Sequence, residues 1–150
     1  MSAAVHFRIH AFDELDAKAL HDILKLRSDV FVLEQGIATE RDIDGLDPVS
    51  RHVIGRAADG HVVATARLRP VPGAVKVERV AVEADRRGEG VGTALLVFVH
   101  RCLGDATGVL NAQVHLLRWY EAHGWRAEGE VVEEGGVPHR RMRRSPGAAP

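Results

Sequence analysis

One stretch, residues 78–96 (ERVAVEADRRGEGVGTALL), constrains the rest of the chain more than any other. It begins with a short apolar run at 79–82 that is typical of a buried strand. Three alternating glycines follow within 88–92, and a helical pattern begins directly after them at Thr93. Glycine leaves backbone N–H groups uncovered by side chains, and a helix start carries unpaired N–H groups and partial positive charge. The stretch therefore predicts a phosphate-binding loop, with a ligand-free glycine turn as the alternative.

Two widespread phosphate-binding motifs do not fit this loop. The dinucleotide fingerprint G-x-G-x-x-G requires glycine at position 93, where the chain has Thr93, and the Walker loop requires G-K-[ST]. The segment 87–92 (RGEGVG) instead matches R-x-x-G-x-G. In this loop the chain resembles the GCN5-related N-acetyltransferase (GNAT) superfamily, in which the motif clamps the pyrophosphate of coenzyme A.

The composition narrows the class of protein. A chain of 150 residues is one ordinary domain with room for a core. Lys and Arg number 20 and Asp and Glu 21, so the charge balance does not indicate nucleic acid as the main partner. The single cysteine, Cys102, cannot form an internal disulfide, and the N-terminus lacks the apolar core of a signal peptide. We therefore expect a cytoplasmic protein that binds neither nucleic acid nor a membrane.

Hydrophobic periodicity predicts a mixed α/β (α+β) fold. Apolar side chains recur at three- and four-residue steps through 15–33, which predicts a long amphipathic helix capped by Asp13 and ended near Gly36. The pair Asp59-Gly60 predicts an antiparallel hairpin. The predicted strands are 5–9, 51–58, 61–70, 75–82, 109–113, 125–133 and 137–142, and a later helix is predicted at 116–123.

The order of these elements predicts one mixed sheet of about six to seven strands flanked by helices. Strand 109–113 must run parallel to strand 75–82, because a helical crossover separates them. We predict a single domain over residues 1–142 and a disordered tail over 143–150.

Local strings bring the chain closer to the ElaA-like branch of the same superfamily. The strings that carry this resemblance are Leu26-Arg27, 30–35 (VFVLEQ), 42–45 (DIDG), Arg51-His52, Ala64-x-Ala66-Arg67, Ala112-Gln113, His115-Leu116, Trp119-Tyr120, 123–125 (HGW) and Gly136-x-Pro138-His139. The resemblance covers almost the whole chain. It implies the GNAT fold, with two splayed parallel strands at the cofactor site.

The resemblance also implies a reaction, in which acetyl-CoA and a primary amine bind together and the neutral amine attacks the thioester directly. The backbone of the strand at 80–82 would pair with the pantetheine arm, and Val80 or Ala81 would donate to the oxyanion. Asn111 would contact pantetheine, or only cap the end of its strand. The expected cofactor-binding residues are Val80, Ala81, Val82, Arg87, Gly88, Glu89, Gly90, Val91, Gly92, Thr93, Asn111 and Tyr120.

The reaction requires an acid for the departing thiolate and a base for the amine. Tyr120 aligns with the tyrosine that commonly acts as the acid, although a core aromatic would show the same local pattern. Glu78 and His52 are the first candidates for the base, with Glu34 and His115 also of suitable chemistry. Strand alternation places Glu78 on the same face as Val80 and Val82, and a structural ion pair with an arginine is the alternative. A structural role is likewise the alternative for His52.

The acceptor amine is expected to meet residues that follow the first long helix. The resemblance places Glu34, Gln35, Asp42 and Asp44 there, and an acidic rim would attract a cationic amine. His115 is a further expected substrate-binding residue. A solvated acidic turn is the alternative. The nine histidines show no H-E-x-x-H motif or cysteine-pair spacing, so no metal is expected.

Two other functions remain open from the sequence. A non-catalytic acyl-CoA-binding regulatory module would keep the glycine loop and lack an efficient base. A nucleotide-binding regulatory domain would use the same loop for ATP or NAD. The loop lacks the lysine of the Walker motif and the third glycine of the dinucleotide fingerprint, which argues against this function. The resemblance also implies a small-molecule or peptide amine as partner and a homodimer.

Overall fold

The computed structural model describes residues 4–147 as a seven-stranded mixed sheet with helices on both faces. The strands follow the order β1-β2-β3-β4-β5-β7-β6, and only β4 and β5 pair in parallel. The strands are β1 (His6–Ala11), β2 (Arg51–Arg56), β3 (Val62–Val71), β4 (Ala74–Val82), β5 (Gly108–Gln113), β6 (Arg126–Glu134) and β7 (Val137–Arg144). The helices are α1 (Ala17–Arg27), α2 (Val91–Leu103) and α3 (Leu117–Glu121). The predicted mixed α/β (α+β) fold is confirmed.

Each face of the sheet is covered by one long helix. The apolar stripe of α2 packs through Leu95, Leu96 and Val99 against one face, together with α3 and Trp125. Helix α1 buries Ile23 and Leu26 on the other face. Both helices have the three- and four-residue apolar spacing that a helix needs to lie on a sheet.

The first helix differs from its prediction at its start and in the form of its last turns. Asp16 is the N-cap, and its carboxylate accepts a hydrogen bond from the Ala19 amide at 2.7 Å. The predicted cap, Asp13, lies instead in a preceding 3-10 turn, because the chain bends once more before α1 begins. Beyond α1 the chain continues as a π-helical turn at Ser28–Glu34, and Gly36 ends it at φ 67, as predicted.

The parallel pair β4–β5 separates almost immediately. Only Val75 pairs with Gly108 and Lys76 with Val109, after which the two strands diverge. Strand β4 also carries a bulge, because two residues, Arg79 and Val80, lie opposite a single residue of β3. The predicted splay of the parallel strands is therefore present, next to the bulge.

The bulge corrects the predicted orientation of Glu78. Arg79 has φ 53, in the left-handed region, and this shifts the alternation of side chains along β4. Val80 and Val82 pack with Val77 against the α2 side of the sheet. Glu78, next to Val77, contacts Arg67 on the opposite face. The prediction that Glu78 shares a face with Val80 and Val82 is therefore wrong.

The last strand extends past the predicted end of the domain. Strand β7 runs to Arg144, and within it Arg143 pairs with Glu128 of β6. Residues 143 and 144 therefore belong to the sheet and not to the predicted tail. Residues 148–150 of that predicted tail lie outside the described residues.

Candidate active site

A cavity of about 210 Å³ lies where β4 and β5 diverge. Residues 77–80 of β4 and 110–113 of β5 form its two sides. Tyr120 reaches it from α3, and Gln35 from the segment after the π-helical turn. The β6–β7 hairpin contributes Glu134 and His139. The cavity is therefore a slot through the splayed sheet.

The glycine loop leads directly into α2. Gly88 and Gly90 have φ 80 and 82, and a Cβ at either position would meet no atom within 4 Å apart from its chain neighbours. Gly90 is the N-cap of α2, and no side chain caps the helix. The first N–H groups of α2 therefore lack intrahelical partners and lie at an open, glycine-lined surface, which suits the oxygens of a diphosphate.

Arg87, the arginine of R-x-x-G-x-G, is held beside this loop. Its guanidinium donates to the Val82 carbonyl at 2.9 Å and forms a two-pronged ion pair with the Glu34 carboxylate. This pairing lowers the pKa of Glu34 and raises the pKa of Arg87. Glu34 therefore lies beside the glycine loop and does not line the cavity where an acceptor residue was predicted.

Tyr120 lies in the inner part of the cavity. Its residue is 5% exposed, and its ring packs edge-on against Trp119 and Trp125, with centroids 4.8 and 6.1 Å away. Burial raises the pKa of Tyr120 to about 12, so the phenol stays protonated at neutral pH. The tyrosine is thus both a core aromatic and a cavity residue with a proton to donate.

Glu78 lines the cavity but is held by cations. Its carboxylate lies 2.7 Å from Arg67, 2.8 Å from Arg69 and 3.5 Å from Lys76. Burial alone would raise the pKa of Glu78, but the two arginines outweigh it and hold the pKa at about 2. An ionised carboxylate with this many cations is a weak proton acceptor at neutral pH, so the geometry favours the structural ion pair.

The ion pairs of Glu78 belong to a larger buried network between the sheet and the loop at 42–47. Arg27 and Arg67 are each 1% exposed and share the carboxylate of Asp47. The network consists of Arg27, Arg67, Arg69, Lys76 and Arg79 with Asp42, Asp44, Asp47 and Glu78. Every cation in it has a carboxylate partner, so the network fixes the loop over the sheet.

His52, the other predicted base, does not line the cavity. It is 1% exposed, and its Nε2 lies 2.9 Å from the Asp47 carbonyl oxygen. Burial lowers the pKa of His52 and so favours a neutral ring. The structure therefore places His52 with the loop at 42–47 as a packing residue, away from the splayed strands.

Of the remaining predicted acceptor residues, Gln35 and Asp42 line the cavity and the other two lie outside it. Gln35 lines the cavity and accepts a hydrogen bond from Gln113 at 3.0 Å. Asp44 pairs with Arg67 and Arg79, which hold its pKa well below the usual range, and it lies outside the cavity. His115 is exposed and also lies outside.

Among the residues predicted to bind the cofactor, Asn111 and Val80 line the cavity as expected of neighbours of a pantetheine arm. Asn111 also donates to the Glu134 carboxylate at 2.9 Å. Glu134 and His139 were missed as site residues, although His139 ends one of the ElaA-like strings. No local pattern could place them, because β7 inserts between β5 and β6 and carries them across the sheet.

Within residues 4–147, no group of three His, Cys, Asp or Glu side chains is arranged to hold a metal ion. None of the helices in that range has both the length and the apolar character needed to cross a membrane.

Comparisons with known proteins agree with this geometry. The acetyltransferase (GNAT) domain family matches residues 38–146. The crystal structure of an acyl-CoA N-acyltransferase from Pseudomonas aeruginosa superposes with a TM-score of 0.88 and 31% identity, over 95% of this chain and 100% of that chain. The crystal structure of ElaA from Escherichia coli superposes with a TM-score of 0.86 and 34% identity, over the same shares of 95% and 100%.

A curated sequence relative gives the same result. UPF0039 protein Rv2851c of Mycobacterium tuberculosis is 36% identical over 132 residues, which is 84% of each chain. The family match, the two structures and the splayed sheet beside a glycine-rich helix start all confirm the predicted resemblance. The chain belongs to the GNAT acetyltransferase family, in its ElaA-like branch.

Proposed function

We propose that the protein transfers the acetyl group of acetyl-CoA to a primary amine by direct attack within a ternary complex. The observation that carries the proposal is the slot between β4 and β5, together with the glycine loop that leads from β4 to the uncapped start of α2. In acetyl-CoA the pantetheine arm joins a diphosphate to a thioester, so the cofactor suits a site that offers exposed N–H groups at a helix start and a slot between two strands.

The cofactor would be held mainly by the backbone. The N–H groups of residues 88–93 and the charge of Arg87 would meet the diphosphate. Beyond the β5 pairing, the edge of β4 at 80–82 would pair with the amides of the pantetheine arm, as an added strand does. In the proposal, the N–H of Val80 or Ala81 meets the oxyanion, and Asn111 contacts the arm. Glu89, Val91 and Thr93 contribute through the loop backbone.

Tyr120 would supply the proton that the departing thiolate takes up. Its protonated phenol lines the slot, and burial keeps it protonated. The proposed mechanism does not use Glu78 or His52 as the base. Glu78 is held ionised by Arg67 and Arg69, and His52 lies outside the cavity.

Cys102 supports direct attack over transfer through an acetyl-cysteine. It is a half-buried free thiol on α2, and burial raises its pKa. A protonated, half-buried thiol is a poor nucleophile. The proposal places the enzyme in the reducing cytoplasm, where the thiol stays reduced and acetyl-CoA is available.

Initial-rate kinetics test the mechanism. Release of free CoA should require an amine, and double-reciprocal plots against acetyl-CoA at several amine concentrations should intersect, as a ternary complex requires. Parallel lines would show a covalent acetyl-enzyme and contradict direct attack. A Cys102→Ser variant should keep the intersecting pattern.

The non-catalytic acyl-CoA-binding module remains the second candidate. The observation that favours it is the tightly paired state of Glu78, which leaves β4 without a free carboxylate base. Tight binding of acetyl-CoA with no CoA release on any amine would select this candidate.

The proposal also includes a homodimer. Strand β6 lies at one edge of the sheet and exposes Val131 and Val132, which are 54% and 52% accessible. Exposed apolar side chains on an edge strand are suited to pairing with a second chain. Light scattering at micromolar concentration should give twice the chain mass, and a monomer there would remove this part of the proposal.

A further inference from the structure

The proposed reaction lacks a base, and a second group of polar side chains lies at the hairpin end of the cavity. The β6–β7 turn packs closely against the segment after α1, where a Cβ on Gly135 would lie 2.6 Å from Ile37. Ile37 and Glu134, which lie on the two sides of this contact, both line the cavity. The same end of the cavity includes His139, which sits directly opposite Gln113 of β5.

Glu134 differs from the other inner carboxylates of the cavity. Asp42 pairs with Arg27 and Arg79, and Glu78 is held by its own cations. Glu134 has a neutral partner, the Asn111 amide at 2.9 Å, and no Lys or Arg of residues 4–147 forms an ion pair with it. A half-buried carboxylate without a cation attracts one from solution. Glu134 therefore presents a carboxylate without an ion-pair partner to a ligand, in a cavity whose lining also includes the exposed Glu40 and Arg41.

His139 is oriented by the backbone of its own hairpin. The residue is 8% exposed, and its Nδ1 lies 2.7 Å from the Val137 carbonyl oxygen. Because a carbonyl oxygen only accepts, Nδ1 must carry the hydrogen of the neutral ring. The neutral ring then keeps its lone pair on Nε2, for which the described residues provide no hydrogen-bond donor. This is the tautomer that a general base needs.

We infer that the hairpin end is the acceptor site, that its ligand is an alkylammonium cation recognised by Glu134, and that His139 Nε2 is the base that deprotonates it. The inference rests on the proposed function. Nε2 takes one proton from the ammonium, and the neutral amine forms the C–N bond at the thioester carbonyl. The C–S bond then breaks. Of the two protons that the nitrogen loses, one ends on the CoA thiol and one in the solvent.

Steady-state kinetics with 1,4-diaminobutane as the amine can distinguish the roles of Glu134 and His139, because one variant should change KM and the other kcat. His139→Asn keeps a donor for the Val137 carbonyl and removes the Nε2 base. It should lower kcat by about a hundred- to ten-thousand-fold and leave acetyl-CoA affinity unchanged. Glu134→Gln keeps the shape and removes the charge. It should raise KM for the amine about tenfold, the loss expected for one charge-assisted contact.

Two matched variants control for the loss of a histidine or of a carboxylate elsewhere. His6→Asn lies on the exposed start of β1, and Glu133→Gln lies on the exposed position before Glu134. Both should leave kcat and KM unchanged. Calorimetric titration with acetyl-CoA shows whether each variant is folded, and His139→Gln provides a second test if His139→Asn does not bind the cofactor.

Direct titration of 1,4-diaminobutane into the protein saturated with CoA separates this inference from the proposed function. If the wild type released no CoA on any amine, the proposed reaction and the role of His139 as a base would both be contradicted. Weaker amine binding by Glu134→Gln would still support the acceptor site in that case. Unchanged amine binding in Glu134→Gln would overturn the recognition role. A kcat within twofold of wild type in His139→Asn would overturn the base, while the proposed acetyl transfer would stand.

Discussion

Tyr120 shows how one residue can serve the core and the reaction together. Its ring is packed against two tryptophans, and the residue also lines the cavity between the splayed strands. Tyr120→Phe removes only the hydroxyl, so acetyl-CoA affinity should be unchanged while turnover falls by about ten- to a thousand-fold. Steady-state rates and calorimetry on the same preparation measure both quantities. Unchanged turnover would show that Tyr120 has only a packing role in the core.

The protonation of Tyr120 can be measured directly, because it is the only tyrosine in the chain. The tyrosinate absorbance of the folded protein should titrate near pH 12, above the ordinary value of 10.0, because burial opposes the charged form. Tyr120 ionises first in the unfolded chain, so its contribution to stability should be constant below pH 10 and fall as pH rises towards 12. A folded-state midpoint at the ordinary value would show an exposed hydroxyl.

Glu78 shows the limit of reasoning from residue type. Its position on the strand before the glycine loop made it a candidate base, and its chemistry alone could not decide between a base and an ion pair. The answer depends on Arg67 and Arg69 of β3, which only the strand register brings to it. A general base and a structural ion pair at Glu78 can therefore be distinguished only when the residues opposite it on the neighbouring strand are known.

The ion network gives Glu78 a testable role in stability. Glu78→Gln should lower the free energy of unfolding by about 3 kcal/mol at neutral pH, because it leaves buried arginines with fewer carboxylate partners. The folded pKa of about 2 lies below the ordinary 4.5, so the wild type should lose this contribution as pH falls from 4.5 towards 2. Urea unfolding across that range should show a flatter pH dependence for Glu78→Gln.

A surface ion pair provides the control for that experiment. Glu128 pairs with Arg141 and Arg143 on β7, where all three side chains are substantially exposed. Glu128→Gln should change stability little at any pH, since exposed ion pairs are screened by water. An equal effect of Glu78→Gln and Glu128→Gln would contradict a special role for the buried network.

At the scale of elements, the glycine loop makes the clearest prediction. Gly90→Leu places a side chain in the open space beside the start of α2, where the diphosphate is proposed to bind, and should abolish acetyl-CoA binding. Gly90 has φ 82, so part of any effect would come from backbone strain. Gly60→Leu is the matched control, because Gly60 has φ 91 and equally open surroundings in the β2–β3 hairpin.

Both glycine variants should lose similar stability in thermal unfolding, and only Gly90→Leu should lose the cofactor. Full acetyl-CoA affinity in Gly90→Leu would discredit the assignment of the diphosphate site.

Elements defined by local pattern could be predicted, and those defined by distant contacts could not. The hairpin at Asp59-Gly60 and the strand, glycine loop and α2 follow from periodicity and turn chemistry within a few residues. The bulge at Arg79 could not be predicted, because it arises from the register between β3 and β4. The same is true of the acceptor end, since Glu134 and His139 reach it only through the insertion of β7 beside β5.

At the scale of the whole molecule, the site lies where two halves of the sheet meet. Strands β1 to β4 form one half and β5, β7 and β6 the other, and within residues 4–147 the β-ladder between the halves consists of two residue pairs. The glycine loop follows β4 along the chain, and the β6–β7 hairpin pairs with β5, so both are attached to the two strands that border this boundary. Cofactor, thioester and amine would therefore bind in sequence along one slot, which is the central claim of the account.

Calorimetric titration of acetyl-CoA into the purified protein tests that claim most directly. The account predicts saturable binding of one molecule per chain, competed by CoA and not by ATP, and lost in Gly90→Leu. Competition by ATP equal to that by CoA would indicate a nucleotide site. The absence of both heat and a thermal shift with acetyl-CoA would contradict the account. The roles proposed for the glycine loop and the splayed strands, and the proposed reaction, all require that this cofactor binds.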